Sequence, residues 1–571
     1  RPDPLVPRRL RLEVTERLLP DGSLRTALDE AAARVAIRRL RDDGVQAIAV
    51  CLLHAFVNPV HERRIAELVA EEAPGLAVCL SADLVPEIGE YERGSTTIAN
   101  AYVLPVFARY LARLDAGLRE AGVTGPLFLM LSDGGTVASE VAARHPIRLV
   151  QSGPAGGVQA ARVYGEAAAA PDILCFDMGG TTAKAALIDA GQPARSLDFE
   201  VSRVDRFRKG SGLPLKVPVV EMIEIGAGGG SVARVDALGL VRVGPDSASS
   251  DPGPACYGLG GTQPTVTDCD LLLGYLAPDN FLGGTMRLDV AAAEAAIGAT
   301  LAGPLGLSPV EAAWAVHETV NTAMAQAAAI HALEKARRIE GYTLVPIGGA
   351  GPVHAVEVAR KLGIARLVVP AGAGVASAFG FLAAPISFAL LRGMVAPLAT
   401  LDLDALRVML AEMEAEGRAL VAKAGADAAE TRIRVAMRYA GQGYQVEAEV
   451  TALDRDTIRA GFEAEYLRLY GRTEPGLPVE CVGWRVTVSG PTPRLDLAAG
   501  AAPQGVAVKG TRRAWFGGAF VEAAVLDRAA LKPGDVVRGP ALIEERESTL
   551  VLPPGATARC DASLNLVVEV G

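Results

Sequence analysis

Residues 172–189, DILCFDMGGTTAKAALID, hold the side chains best suited to chemistry. An apolar run from Ile173 to Phe176 ends in Asp177. Gly179, Gly180, Thr181 and Thr182 follow, then Lys184 and a second apolar run. Two β-type runs around a Gly-rich turn predict a hairpin. Its glycines let backbone N–H groups approach an anion with no Cβ in the way. The threonines add hydroxyl donors, and Asp177 offers a carboxylate to a hydrated metal ion or an attacking water. An ordinary β-turn would need the Gly-Gly, but neither the Asp before it nor the Thr pair after it. The grouping predicts a hairpin that grips a triphosphate.

Three further small-residue segments could line a site. GAGGGSVARVD (226–236) invites a dinucleotide-binding assignment, but Ser231 breaks G-x-G-x-x-G and no P-loop Lys follows. A loop lining a site, with Gly228, Gly229, Asp251, Cys256 and Asp268 nearby, and a set of tight turns are both consistent with it. GGAGPVHA (348–355) follows an apolar run, at the strand end where α/β sheets bind ligands. His354 there suits either a capping and packing role or a ligand contact. SGPAGG (152–157) could hold an anion on helix N–H groups or serve close helix packing. His317 and His331 lie 14 residues apart on one helical stretch, too far to share a metal with each other.

The elements that position these groups follow from periodicity. Residues 8–19 alternate as a strand, and 27–43 carry helical spacing. A helix starts near Asn58-Pro59, and a long one over 90–120 contains Pro105. Residues 148–165 predict a strand, a turn at 152–157 and a helix. The clearest helix begins at Ser308, where Pro309 and Glu311 complete a capping box. Residues 342–370 predict strand, Gly-rich turn, helix and strand, one right-handed unit. From about 391 the texture changes to helices and short Gly/Pro-punctuated strands, which predicts a separate α+β, β-rich domain.

At 571 residues, several domains are expected. The net charge of −10 argues against nucleic-acid or anionic-membrane partners, so an anionic ligand must be held locally. Seven cysteines without a CxxC argue against a disulfide framework and point to a reducing cytoplasm. No apolar run reaches the ~18 residues of a membrane span.

Taken in order, EYERGSTTIANAYV (90–103), SGPAGGV (152–158), DMGGTTAK (177–184), GAGGGSVARVD (226–236), GPDSASSDPGPACYGLGG (244–261), PTVTDCDLLLG (264–274) and GGAGPVHA (348–355) resemble the hydantoinase A and 5-oxoprolinase family. RYAGQGY and GPALIEE resemble its C-terminal segment more loosely. The resemblance implies an α/β fold of ribonuclease-H-like domains, as in actin, sugar kinases and Hsp70, with ATP clamped between two phosphate hairpins. On this basis residues 1–75 are the remainder of an N-terminal domain, 76–390 the ATP-binding core and 391–571 the C-terminal α+β domain. The implied activity is ATP-dependent opening of a cyclic amide (a hydantoin, N-methylhydantoin, 5-oxoproline or a lactam) by phosphorylation of the amide oxygen. An ATP-dependent ketone carboxylase subunit and a non-catalytic scaffold are the alternatives.

The implied cofactors are ATP and Mg²⁺, with Mn²⁺ as the alternative metal. The implied partner is a hydantoinase B-type subunit in a hetero-oligomer. By resemblance Gly179, Gly180, Thr181 and Thr182 hold phosphates, Asp177 a metal-bound water, and Gly348, Gly349 and Gly351 the adenosine. The Asp251 and Asp268 neighbourhoods face the substrate. Lys184 either pairs a phosphate or points outward. The family's own first Asp-x-Gly-Gly-Thr hairpin and an HGTT-type segment do not occur in these residues. That part is expected in another polypeptide, or removed or not supplied, or the chain is inactive alone. Asp133 stands in Ser132-Asp133-Gly134-Gly135 where the family pattern has Asn, adding a carboxylate that bears on substrate preference.

Overall fold

Ile173, Leu174, Cys175 and Phe176 are apolar without alternation, the pattern of a strand covered on both faces. The computed structural model describes residues 2–204, 210–427, 430–493, 495 and 507–571. It divides into two compact units: residues 1–152, 196–219 and 384–492, and residues 153–195, 220–383 and 493–571.

The second unit carries the hairpin. In chain order its main elements are α1 (Ser152–Ala167), β1 (Ile173–Met178), β2 (Ala183–Asp189), β3 (Ile223–Ile225), α2 (Val266–Leu272), α3 (Pro309–Glu334), β4 (Thr343–Ile347), α4 (Gly351–Leu362), β5 (Arg366–Val369), α5 (Ala376–Ala383), β6 (Val536–Arg538), β7 (Thr557–Cys560) and β8 (Leu566–Glu569). One sheet runs β3-β2-β1-β4-β5-β8-β7-β6. β1, β4 and β5 are parallel, with Asp177 level with Ile347, and the remaining pairings are antiparallel. All five residues of β4 are buried. Phe176 is fully buried with Met178, Leu344 and Met324 in the main core; truncating such a side chain typically costs about 3–5 kcal/mol. α3 begins as its residues predict: Ser308 and Glu311 exchange cap hydrogen bonds at 2.9 and 3.3 Å. A second, four-stranded sheet spans Val508–Phe516, Ala519–Asp527, Ala541–Glu544 and Thr549–Leu552.

The first unit contains a parallel pair, Ala47–Val50 with Ala77–Leu80, and the helices Glu30–Asp42, Val60–Glu72 and Glu90–Glu120, the last with Pro105 inside it. An antiparallel sheet of Ser387–Pro397, Val479–Ser489, Glu430–Tyr439 and Val446–Glu449 has Trp484, Tyr439 and Phe462 in its core. Among the described residues no single helix is long and apolar enough to cross a membrane, and all seven cysteines are free.

Three expectations change. The alternation over 8–19 yields only the two-residue strand Arg17–Leu18; Arg8–Leu10 is a 3₁₀ turn whose chain Arg11 holds through Val6 O at 2.7 Å. Among the described residues no strand lies alongside 11–16, so their alternation has no ladder to join. The small residues 152–157 are the first turns of α1, not a loop before it, and 146–149 form a 3₁₀ turn, not a strand. Finally, the run after 391 is shared: residues 493–571 fold with the hairpin unit. The reason is the edge of β5, which would present unpaired groups. β8 covers it, with Arg366 opposite Glu569 and Val369 opposite Leu566.

α1 and α5 meet through glycines. A Cβ on Gly380 would lie 1.8 Å from Gly156 O and 2.9 Å from Ala160 N, both backbone atoms that cannot swing aside. Gly380→Ala is expected to destabilise the protein by about 1–3 kcal/mol, read as a lower denaturant midpoint. Gly153→Ala, with nothing within 4 Å of the new Cβ, is expected to be near neutral.

Candidate functional site

The hairpin closes in register, Asp177 opposite Lys184 and Met178 opposite Ala183, with Gly179 N–H donating to Thr182 O at 3.2 Å. Its tip is open: Gly180 and Thr181 are exposed. Lys184 Nζ donates to Thr182 Oγ1 at 2.8 Å and lies 3.5 Å from the Glu224 carboxylate. The lysine is thus tied to its own sheet, next to the tip.

Two glycine loops back the hairpin. Gly229 N–H and Gly230 N–H donate to Gly179 O and Gly180 O at 3.0 and 2.5 Å, while Gly229 O accepts from Thr267 N–H and Oγ1 at 2.7 and 2.9 Å. The approach excludes side chains, because a Cβ on Gly228 would sit 2.7 Å from Thr181 C and Thr182 N. From the other side, Ala350 N–H donates to Met178 O at 3.1 Å. Gly348 is left-handed (φ +83°), and its Cβ would lie 2.4 Å from Met178 O and 2.7 Å from Asp177 Oδ1. Gly349 passes Glu547 O, which its Cβ would meet at 3.1 Å, and Gly351 opens α4. The third approach is Gly157 of α1, whose Cβ would come within 3.3 Å of Asp177 Oδ2 and 2.7 Å of Ile347 Cδ1. Both oxygens of Asp177 therefore face positions where a glycine leaves space. Asp177 also lines a small, shallow recess with Pro154, Val158, Cys175, Lys184, Ala186 and Met222. Burial pushes the Asp177 carboxyl above its usual range, and Lys184 only partly offsets that.

The other acids stand apart from this recess. Asp268 is fully buried: Oδ2 accepts from Ala255 N–H, Thr265 N–H and Thr265 Oγ1 at 3.2, 2.8 and 2.8 Å, and Oδ1 accepts from Cys256 N–H at 2.7 Å. The expected substrate-facing carboxylate is committed instead to capping α2 and fixing the 255–256 turn. Asp251 is exposed on a loop whose base is held by Ala248 N–H donating to Gly230 O at 2.9 Å. In the other unit, Asp133 Oδ1 accepts from Gly135 N–H at 3.1 Å, closing a turn within its own segment.

Comparison with known proteins establishes the family. Residues 93–389 match the hydantoinase/oxoprolinase family, 404–566 its C-terminal domain and 2–73 its N-terminal region. The caprolactamase subunit alpha of Pseudomonas jessenii is 33% identical over 582 residues, which cover 99% of this chain and 82% of that one. The chain belongs to the hydantoinase/oxoprolinase family. The acetone carboxylase beta subunit of Xanthobacter autotrophicus is 33% identical over 581 residues, 97% of this chain and 79% of that subunit. The solved structure of ATP-dependent caprolactamase superposes with a TM-score of 0.84 at 31% identity, covering 99% of this chain and 83% of that one. The family thus includes lactam-opening and ketone-carboxylating enzymes, and these relatives are named as subunits.

One grouping in this hydantoinase/oxoprolinase chain was not legible in the sequence. Asp270, His317 and His354, from three helices, meet in the core of the hairpin unit. The reading that His317 and His331 share no metal says nothing of a partner on another helix. His354 is fully buried at the start of α4, so it packs and does not face the recess. Separations of 47 and 37 residues leave no local signal.

The raised pKa of Asp177 gives a thermodynamic test. A carboxyl with a raised folded-state pKa stabilises the fold only below its unfolded pKa, and that contribution is lost as pH rises through the folded value. At neutral pH the ionised group is a cost. Asp177→Asn is therefore expected to raise Tm at pH 7–8 in ligand-free protein, with the gain shrinking as pH falls into the ordinary carboxylate range; scanning calorimetry across that pH span checks it.

Proposed function

We propose that this chain is the ATP-binding subunit of an ATP-dependent cyclic-amide hydrolase, acting on a hydantoin, 5-oxoproline or a lactam. The observation that carries the proposal is Asp177, enclosed between Gly157 and Gly348 beside an exposed Gly180-Thr181 tip. The ribonuclease-H-like, actin- and Hsp70-type architecture is part of the same proposal. So are a cytoplasmic location and a hydantoinase B-type partner subunit, the latter supported by relatives that are themselves named as subunits.

The residues fit a magnesium nucleotide. The carboxylate of Asp177 and the hydroxyls of Thr181 and Thr182 are hard oxygen donors of the kind Mg²⁺ takes, usually through retained waters. Gly157 and Gly348 let backbone pass beside both oxygens of Asp177 where a Cβ would clash. Mg²⁺, held through Asp177, would neutralise triphosphate charge when bound. Backbone N–H groups and hydroxyls of the tip bind phosphate, Lys184 adds a positive charge beside Thr182, and the loops at 228–229 and 348–351 shape the nucleotide cleft.

The chemistry follows from a poor leaving group. An amide carbonyl resists water because its nitrogen donates electrons and its oxygen leaves badly. Transfer of the γ-phosphoryl group to the amide oxygen gives an activated imidate. Water adds at that carbon and loses a proton, the ring C–N bond breaks with protonation of nitrogen to leave an acyl phosphate, and a second water hydrolyses that to carboxylate and inorganic phosphate. The chain's contribution is position and charge, which typically dominate phosphoryl transfer. Asp268 acts by holding the 255–256 turn and Asp251 by its exposed place on the adjoining loop.

Ketone carboxylation uses the same opening step, with an enolate oxygen in place of the amide oxygen. The likeness to the acetone carboxylase beta subunit, over 97% of the chain, favours it as the second reading. Assay of the full-length protein with its partner subunit separates them. The hydrolase reading expects Mg²⁺-dependent ATP turnover stimulated by a hydantoin or lactam without a ketone. ATP turnover that requires bicarbonate and a ketone, and ignores every cyclic amide, would replace it with the carboxylase. Asp177→Asn is expected to lower kcat at least about 100-fold, the scale of a group acting directly on transition-state charge, with smaller changes in lactam KM.

A further inference from the structure

Behind the Gly348 loop, three helices bring nitrogen and oxygen donors to a single point. Asp270 on α2 lies with Oδ1 2.9 Å from His317 Nδ1 on α3 and Oδ2 3.2 Å from His354 Nε2 on α4. All three side chains are at most 4% exposed. The imidazoles stack at 4.7 Å between centroids with a 23° tilt. Trp314 and Tyr275 border His317 at 5.6 and 5.2 Å, making an aromatic wall with no charge.

Two features distinguish this cluster from a satisfied core ion pair. First, no Lys or Arg bridges Asp270 among the described residues; its only ion-pair partners are the two histidines. A buried carboxylate is costly unless its histidine neighbours or a bound ion carry positive charge. Second, His354 Nε2 faces the Asp270 carboxylate at 3.2 Å but off straight hydrogen-bond alignment, while its Nδ1 lies 2.8 Å from Asn321 Oδ1. In the tautomer that donates Nδ1–H to that amide oxygen, Nε2 carries the lone pair that an ion would take. A ring nitrogen fixed on one side by an amide and free on the other is how protein metal ligands are commonly oriented. The separations of 2.9 and 3.2 Å also suit neighbouring donors on one ion at bond lengths of about 2.0–2.2 Å.

We infer that Asp270, His317 and His354 form a structural site for a zinc-type divalent cation, with Asp270 bridging through both oxygens so that two nitrogens and two oxygens complete four donors. Such a mixed set suits Zn²⁺, whereas Mg²⁺ and Ca²⁺ prefer oxygen alone. Enclosure on all sides leaves no open position for substrate, so the ion would tie α2, α3 and α4 together and steady the helix that follows the 348–351 loop. The inference does not rest on the nucleotide reading.

Crystals of the full-length protein, grown with Zn²⁺ and without chelators, test it by diffraction at the zinc absorption edge. The expected result is an anomalous peak between the three side chains. Metal analysis is expected to find one fewer zinc equivalent per chain in Asp270→Asn than in the parent protein. Absence of the peak with Zn²⁺ supplied overturns the proposal and assigns the site to a proton shared by carboxylate and imidazole. Unchanged zinc content in a folded Asp270→Asn overturns it equally. If that variant does not fold, the anomalous map of the parent decides alone.

Discussion

Everything at the hairpin depends on one steric condition: backbone must come within van der Waals distance of the Asp177 carboxylate and of the hairpin tip. Gly348 and Gly157 meet the first requirement and Gly228 the second. A methyl group at any of these positions would fall at 2.4–3.3 Å from hairpin or carboxylate atoms. The glycines are therefore spacers that let separate stretches of chain converge on one carboxylate. The parallel pairing of β1 with β4 sets the level of that convergence, since it puts Ile347 beside Asp177 and starts the Gly348 turn at the correct height.

The same condition explains why so many polar groups nearby are structural. Gly229 O is held by Thr267, and the hairpin's own carbonyls are held by Gly229 and Gly230. Asp268 collects four hydrogen bonds so that α2 begins where Thr267 can reach that loop. Loops this rich in glycine lose much conformational freedom on folding. Buried carboxylates accepting several N–H bonds are a compact way to offset it, because such charge-assisted bonds are stronger than neutral ones. Asp177 contrasts with Asp268: the structure satisfies one and leaves the other desolvated with a single lysine near it. A group kept at a cost, facing an open tip, is where function is expected to reside.

The C-terminal residues show how sheet edges organise a chain. β8, β7 and β6 extend the sheet past β5, so the segment most distant in sequence completes the layer that carries the hairpin. Val369 and Leu566 pair across nearly two hundred residues. The consequence is that the hairpin-bearing sheet is not independent of residues 536–569.

The sequence by itself determined the local features. The hairpin over 172–189, the capping box at Ser308 and Glu311 and the strand–turn–helix–strand unit after 342 follow from short-range periodicity and turn residues, while the family was legible as a resemblance of ordered segments between 90 and 355. Local patterns also misled where pairing decides: the alternation of residues 8–19 found a partner strand only at Arg17 and Leu18, and the small residues of 152–157 became helix because neighbouring helix and sheet demanded close packing, not a loop. Tertiary structure alone decided which acids are architecture and which is presented to a recess, since Asp177 and Asp268 are alike as residues and differ only in the donors around them. It alone joined Asp270, His317 and His354, whose distances along the chain carry no sign of contact. Spacing along the chain fixes secondary structure, but burial and charge depend on which distant segments the sheet and helices bring together.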